Sequence, residues 1–324
     1  MKKYILCLVG LLLLGCSRPQ KASPVPPTEQ PAPTPAPTVT VTLVPETAAP
    51  ETMLPETQVP AEDERIVGHC LSILDELPCA VDLDGDGILE TVDLATYVAA
   101  DEYPRWALTI SKDSQQKRFE TDIPYDMPYD LFVGDLDEDG GYELFFHGDL
   151  ASDDYLIYGF HSDLSCLFFE PDERAVRWEE PRESNVFAGR IEGFEDGHIV
   201  IEGVVDMLGT HWGIRNFALG DDGVIGPVST VWTFNDEIEA DRLLVVTREL
   251  TAYKAAVRKD PGEAFTLQPG EKILPLASDG CERLWFETAE GKGGVLLLTP
   301  DEENMWLIDG VPEAEYFESL PYAG

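Results

Sequence analysis

The chain has 324 residues, with 22 basic against 62 acidic side chains and a formal net charge of −40. A hydrophobic fraction of 44% supports a real core and excludes wholesale disorder. So acidic a surface, with no basic patch to override it, repels phosphates and excludes nucleic acid as a partner.

The first segment sets the compartment. Lys2 and Lys3 precede the apolar run Tyr4–Leu14, eleven residues and too short to span a bilayer. The run ends in Leu13-Leu14-Gly15-Cys16. This resembles the lipobox of bacterial lipoproteins. The resemblance implies a signal peptide over residues 1–15, cleavage before Cys16, and a lipidated Cys16 carrying palmitate-type acyl chains. The plainer alternative is an ordinary signal peptide with a chance cysteine. Two acyl chains meet the requirement for stable membrane attachment. The expected place is therefore the extracytoplasmic face of a bacterial cell membrane, with the N-terminal lipid as the membrane contact.

Residues 16–62 read as that lipidated cysteine followed by a Pro/Thr-rich linker. Ser17–Pro60 holds 12 of the chain's 25 prolines and eight threonines, and no aromatic residue. Proline removes backbone donors and biases its neighbours toward extended conformations. At roughly 3.1 Å per residue where it is polyproline-like, the segment reaches on the order of 100 Å. Such a spacer lifts a folded head away from a membrane.

Two acidic loops follow. Asp82-Leu83-Asp84-Gly85-Asp86-Gly87-Ile88-Leu89-Glu90 and Asp135-Leu136-Asp137-Glu138-Asp139-Gly140-Gly141-Tyr142-Glu143 align without gaps, 53 residues apart. Each places carboxylates at positions 1, 3, 5 and 9 and glycine at position 6. Alternate side chains converge on one centre, and position 7 (Ile88 or Gly141) can add a backbone carbonyl. Oxygen-only donors in this number suit Ca²⁺. Four carboxylates this close repel one another unless a cation lies between them. An EF-hand needs a bidentate acid at position 12 and flanking helices. Position 12 is Asp93 in one loop and Phe146 in the other, and the following residues are strand-like. The remaining alternative is a pair of acidic turns that bind no metal.

A strand, an Asp-x-Asp-x-Asp-Gly-type loop and a strand, repeated at about fifty residues, resemble FG-GAP and VCBS repeats. The resemblance implies structural calcium in propeller-like antiparallel blades over residues 63–245. Gly193–Gly197 and Gly220–Gly223 are weaker echoes that read as hairpin turns. A closed propeller needs at least about four blades, and this span holds three or four.

From residue 246 to 324 short strands alternate with glycine turns at Pro269-Gly270, Asp279-Gly280 and Glu290-Gly291. The succession resembles the bacterial Src-homology-3-like domain, a small β-barrel. Where that family has Gly-Trp after its last hairpin turn, this chain has Gly294-Val295. The fold class expected is thus mostly β: propeller-like antiparallel blades, then a small β-barrel, after a disordered linker.

Outside the leader and Cys16 the cysteines are Cys70, Cys79, Cys166 and Cys281. A Cys70–Cys79 disulfide is conceivable in an oxidising compartment, and buried free thiols are the alternative. No H-E-x-x-H, G-x-S-x-G or P-loop pattern is present among the residues. His211-Trp212 and Trp306 read as core packing rather than ligand contacts, as does Trp178. The expected function is non-catalytic: a calcium-stabilised β-domain for binding or assembly, with a cell-wall polymer or a surface protein as partner. The alternative is a secreted glycan- or cell-wall-acting hydrolase that uses the barrel for targeting.

Overall fold

The computed structural model describes residues 67–68, 70–123, 126–150, 154–170, 185–234, 243–254, 262–301 and 305–322. The expected signal peptide, Cys16, the whole linker span 16–62 and Trp178 lie outside the described residues. Among the described residues the fold is mostly β. Nearly all strand pairs are antiparallel, with short 3-10 turns at Leu74–Glu76 and Glu313–Glu315 and no α-helix.

Strand β1 (Leu71–Ser72) precedes a four-stranded antiparallel meander of β2 (Cys79–Val81), β3 (Glu90–Val98), β4 (Pro104–Lys112) and β5 (Gln115–Glu120). A second meander holds β6 (Asp126–Gly134), β7 (Glu143–Leu150) and β8 (Asp154–His161), with β1 added beside β6. After β9 (Phe168–Phe169), strand β10 (Val186–Ala188) closes the other edge of this sheet on β8.

The second sheet is buried on both faces, and β7 shows how. Leu144 and Phe146 enter one core with Trp106, Phe119, Tyr158 and Phe160. Phe145 points the other way, into a core shared with Ile157, Phe187 and Ile201. Period-two alternation normally reads apolar-in, polar-out; here both sides are inside, so the run is continuously buried.

Most of the remaining strands form one large sheet. It begins with β11 (Arg190–Glu195), β12 (His198–Asp206) and β13 (Thr210–Leu219), with β14 (Val224–Pro227) and β15 (Trp232–Phe234) both pairing β13. It continues through β16 (Leu244–Val245), β17 (Leu250–Tyr253), β18 (Ala264–Leu267), β19 (Lys272–Ser278), β20 (Arg283–Thr288) and β21 (Gly293–Leu297). Strands β15 and β19 pair through Trp232 and Ser278, so hydrogen bonding runs across the expected boundary at 245/246. A last small sheet holds β22 (Thr299–Pro300), β23 (Trp306–Ile308) and β24 (Val311–Pro312).

The glycine turns fall where the sequence puts them. Asp196 and Gly197 join β11 to β12 with φ of 50° and 75°, the left-handed pair that a tight two-residue hairpin requires. Gly294 lies against the Phe286 ring so closely that a Cβ there would sit 2.4 Å from it. Val295 beside it is buried.

Two side-chain readings are settled by packing. Cys70 and Cys79 are free thiols, so the conceivable bridge is not formed. Cys70 lies in the core that Phe145 enters and Cys79 in the core on the other side of the central sheet. Burial pushes both thiols up, Cys79 to about 11. Trp306 is buried in the core and its indole N–H donates to the Asp206 carbonyl. His211 is buried too, stacked on Phe234 at 4.5 Å.

Candidate metal centre

The first acidic loop joins β2 to β3 and the second joins β6 to β7. Each is pinned by the leucine at position 2: Leu83 and Leu136 are buried, in different cores. The backbone of both loops is then folded by their own carboxylates, in the same pattern. The position-2 amide donates to the position-9 glutamate, Leu83 to Glu90 at 2.7 Å and Leu136 to Glu143 at 2.8 Å. The position-6 amide donates to the first aspartate, Gly87 to Asp82 at 2.9 Å and Gly140 to Asp135 at 3.1 Å. Asp84 and Asp137 accept from the amides of Asp86 and Asp139 at 3.3 and 3.2 Å. Asp86 and Asp139 accept from Ile88 and Gly141 at 2.8 and 2.7 Å.

The same loop geometry demands the same backbone. Position 6 is left-handed in both, Gly87 at φ 85° and Gly140 at 96°. Position 4 is left-handed as well, Gly85 at 69° and, in the second loop, Glu138 at 62°. A residue with a Cβ is strained there. The loops also touch: the Tyr142 amide donates to the Leu83 carbonyl at 2.8 Å.

The structure brings together Asp82, Asp84 and Asp86 in one triad and Asp135, Asp137 and Glu143 in the other, each with carboxylate oxygens within 4.8 Å of one another. Ile88 and Gly141, expected to offer carbonyl oxygens, also tie the loops through their N–H groups. Asp139 stands beside the second triad with its Oδ1 committed to the Gly141 amide.

What separates the two loops is Lys112, at the end of β4. Its Nζ lies 2.8 Å from Asp84 Oδ2, 2.8 Å from Asp86 Oδ2 and 2.6 Å from Glu90 Oε1. The ammonium hydrogen bonds hold Asp86 below the usual carboxylate range and push Lys112 up. No Lys or Arg among the described residues ion-pairs with the acids of the second loop. Asp135 and Glu143 are each 2% exposed, and Asp135 Oδ1 has no hydrogen-bond partner. Asp82 Oδ1 in the first loop has none either. Burial, reinforced by repulsion from Asp137, Asp139 and Asp135, pushes Glu143 up to about 7.

Sequence reasoning missed Lys112. It lies 22 residues beyond Glu90 and belongs to no motif. The signal was positional. Strands β3 and β4 pair Thr91 with Ser111, which sets Lys112 opposite Glu90. In the second sheet the residue opposite Glu143 is His161.

The donor set is carboxylate oxygen alone, which suits Ca²⁺ or Mg²⁺ and not the nitrogen- and sulfur-seeking metals. The second loop fits a divalent cation best, with a buried oxygen that has no partner and no Lys or Arg ion pair among the described residues. Elsewhere among the described residues, no helix is long and apolar enough to cross a membrane. No family model, curated protein or solved structure matches the chain.

Proposed function

We propose that this chain is a lipid-anchored extracytoplasmic bacterial protein whose calcium-stabilised β-domain serves binding or assembly at the cell surface or cell wall, without catalysis. Cys16 carries the lipid and the Pro/Thr-rich segment is the stalk. The meander β2–β5 has the strand number of a propeller blade, which supports the propeller-like reading of residues 63–245. The five-strand run β19-β20-β21-β17-β18 supports the barrel reading of residues 246–324.

The observation that carries the proposal is the second loop, whose carboxylates converge without an ion-paired Lys or Arg among the described residues. Calcium there is structural. Its charge offsets the mutual repulsion of the acids and fixes the β6–β7 connection at the centre of the fold. Such sites outside the cell work at about 10⁻⁴–10⁻³ M. Thermal melting of the purified chain tests this. Millimolar CaCl₂ should raise the melting temperature over the chelator-treated protein. Equal melting temperatures would refute structural calcium.

A further inference from the structure

We propose that the two loops are chemically unequal: the Lys112 ammonium is the resident cation of the first loop, and the second loop alone takes a divalent ion. The inference rests on the calcium reading above and deepens it. Two observations beyond the clustered acids point to a cation at this centre. The first is Lys112 itself, whose ammonium stands among three carboxylates of a loop with the same internal hydrogen bonding as its partner. The second is the Asp135 carboxylate, 2% exposed, whose Oδ1 has no hydrogen-bond partner among the described residues.

The distances say why an ammonium serves. Nitrogen–oxygen contacts of 2.6–2.8 Å in the first loop are slightly longer than the 2.3–2.6 Å that Ca²⁺ prefers. The same loop can therefore close on either ion with small adjustments. A divalent ion entering the first loop must expel the ammonium or endure its repulsion at contact range. Expelling the ammonium would also break its contact with Glu90, which is only 3% exposed. The second loop faces no such competitor. Its matching strand position holds His161 rather than a lysine.

Calcium titration of the purified full chain by calorimetry distinguishes the cases, alongside Lys112→Met, Asp84→Asn and Asp137→Asn. The wild-type chain should bind one equivalent. Asp137→Asn should weaken that binding at least tenfold, and Asp84→Asn should leave its stoichiometry unchanged. Lys112→Met should bind two equivalents. Two equivalents in the wild type, or binding lost with Asp84→Asn and kept with Asp137→Asn, would overturn the inequality while leaving calcium in place. No binding in the wild type would overturn the calcium reading itself. Should Lys112→Met fail to fold, the wild type and the two asparagine variants still decide between these outcomes.

Discussion

At the residue scale, the loops show how one backbone is met by different side chains. Position 4 is glycine in the first loop and Glu138 in the second, both left-handed. The cost of a non-glycine residue there is about 1–2 kcal/mol. Glu138→Gly should therefore raise the unfolding free energy read from urea melts, by about 0.5–1 kcal/mol after the added freedom of the unfolded chain is deducted. Gly140→Ala, at φ 96°, should lower it by about 1–3 kcal/mol. His147 presents a different strain. It is fully buried between Tyr129 and Tyr155, and neither ring nitrogen has a hydrogen-bond partner. Burial, helped by Arg190, pushes it down to about 4. An unfolded histidine takes its proton near pH 6.5, so from there down to about pH 4 only the unfolded chain is protonated. Stability from the neutral ring is complete above that window and lost as pH falls through it. His147→Phe should abolish this part of the acid sensitivity. The variant should gain about 2–3 kcal/mol over wild type on going from pH 7 to pH 4.5, read from urea melts.

At the scale of elements, the central sheet carries the fold because both its faces are covered. Phe146 on β7 lies against Trp106 of the neighbouring meander, ring centroids 3.7 Å apart and planes tilted by 35°, and is fully buried. Phe146→Ala should cost about 3–5 kcal/mol, measured by chemical denaturation. Much of this level was legible in the sequence. The acidic loops, the Asp196-Gly197 hairpin and the turns at Gly223, Gly280 and Gly291 all depend on a few adjacent residues, and adjacent residues are what a sequence displays. Lys112 was not legible, because its role depends on strand register between β3 and β4. The absence of a Cys70–Cys79 bridge has a similar cause. Nine residues of spacing permit a bridge, but the two side chains enter opposite sides of a sheet built from strands farther along.

At the scale of the whole molecule, the described residues are joined across the expected boundary at 245/246. One core gathers side chains from Cys70 to Phe317, and β15 hands the sheet on to β19. The C-terminal segment completes this continuity. Glu313, 3% exposed, accepts from the Leu208 amide at 2.8 Å and from the Tyr322 hydroxyl at 3.0 Å. The Thr210 amide donates to Pro321 at 2.6 Å. Glu313→Ala leaves a buried donor without its partner and should cost about 1–3 kcal/mol, read as one cooperative transition shifted to lower denaturant. Composition set the class of this molecule, but pairing between distant strands set its unity, and no local pattern encodes such pairing.

The most direct measurement is diffraction from crystals grown in millimolar CaCl₂. The account predicts a calcium ion bonded to Asp135, Asp137 and Glu143 at about 2.3–2.6 Å, with the Lys112 ammonium still seated in the first loop. Water alone between the second loop's carboxylates would contradict it.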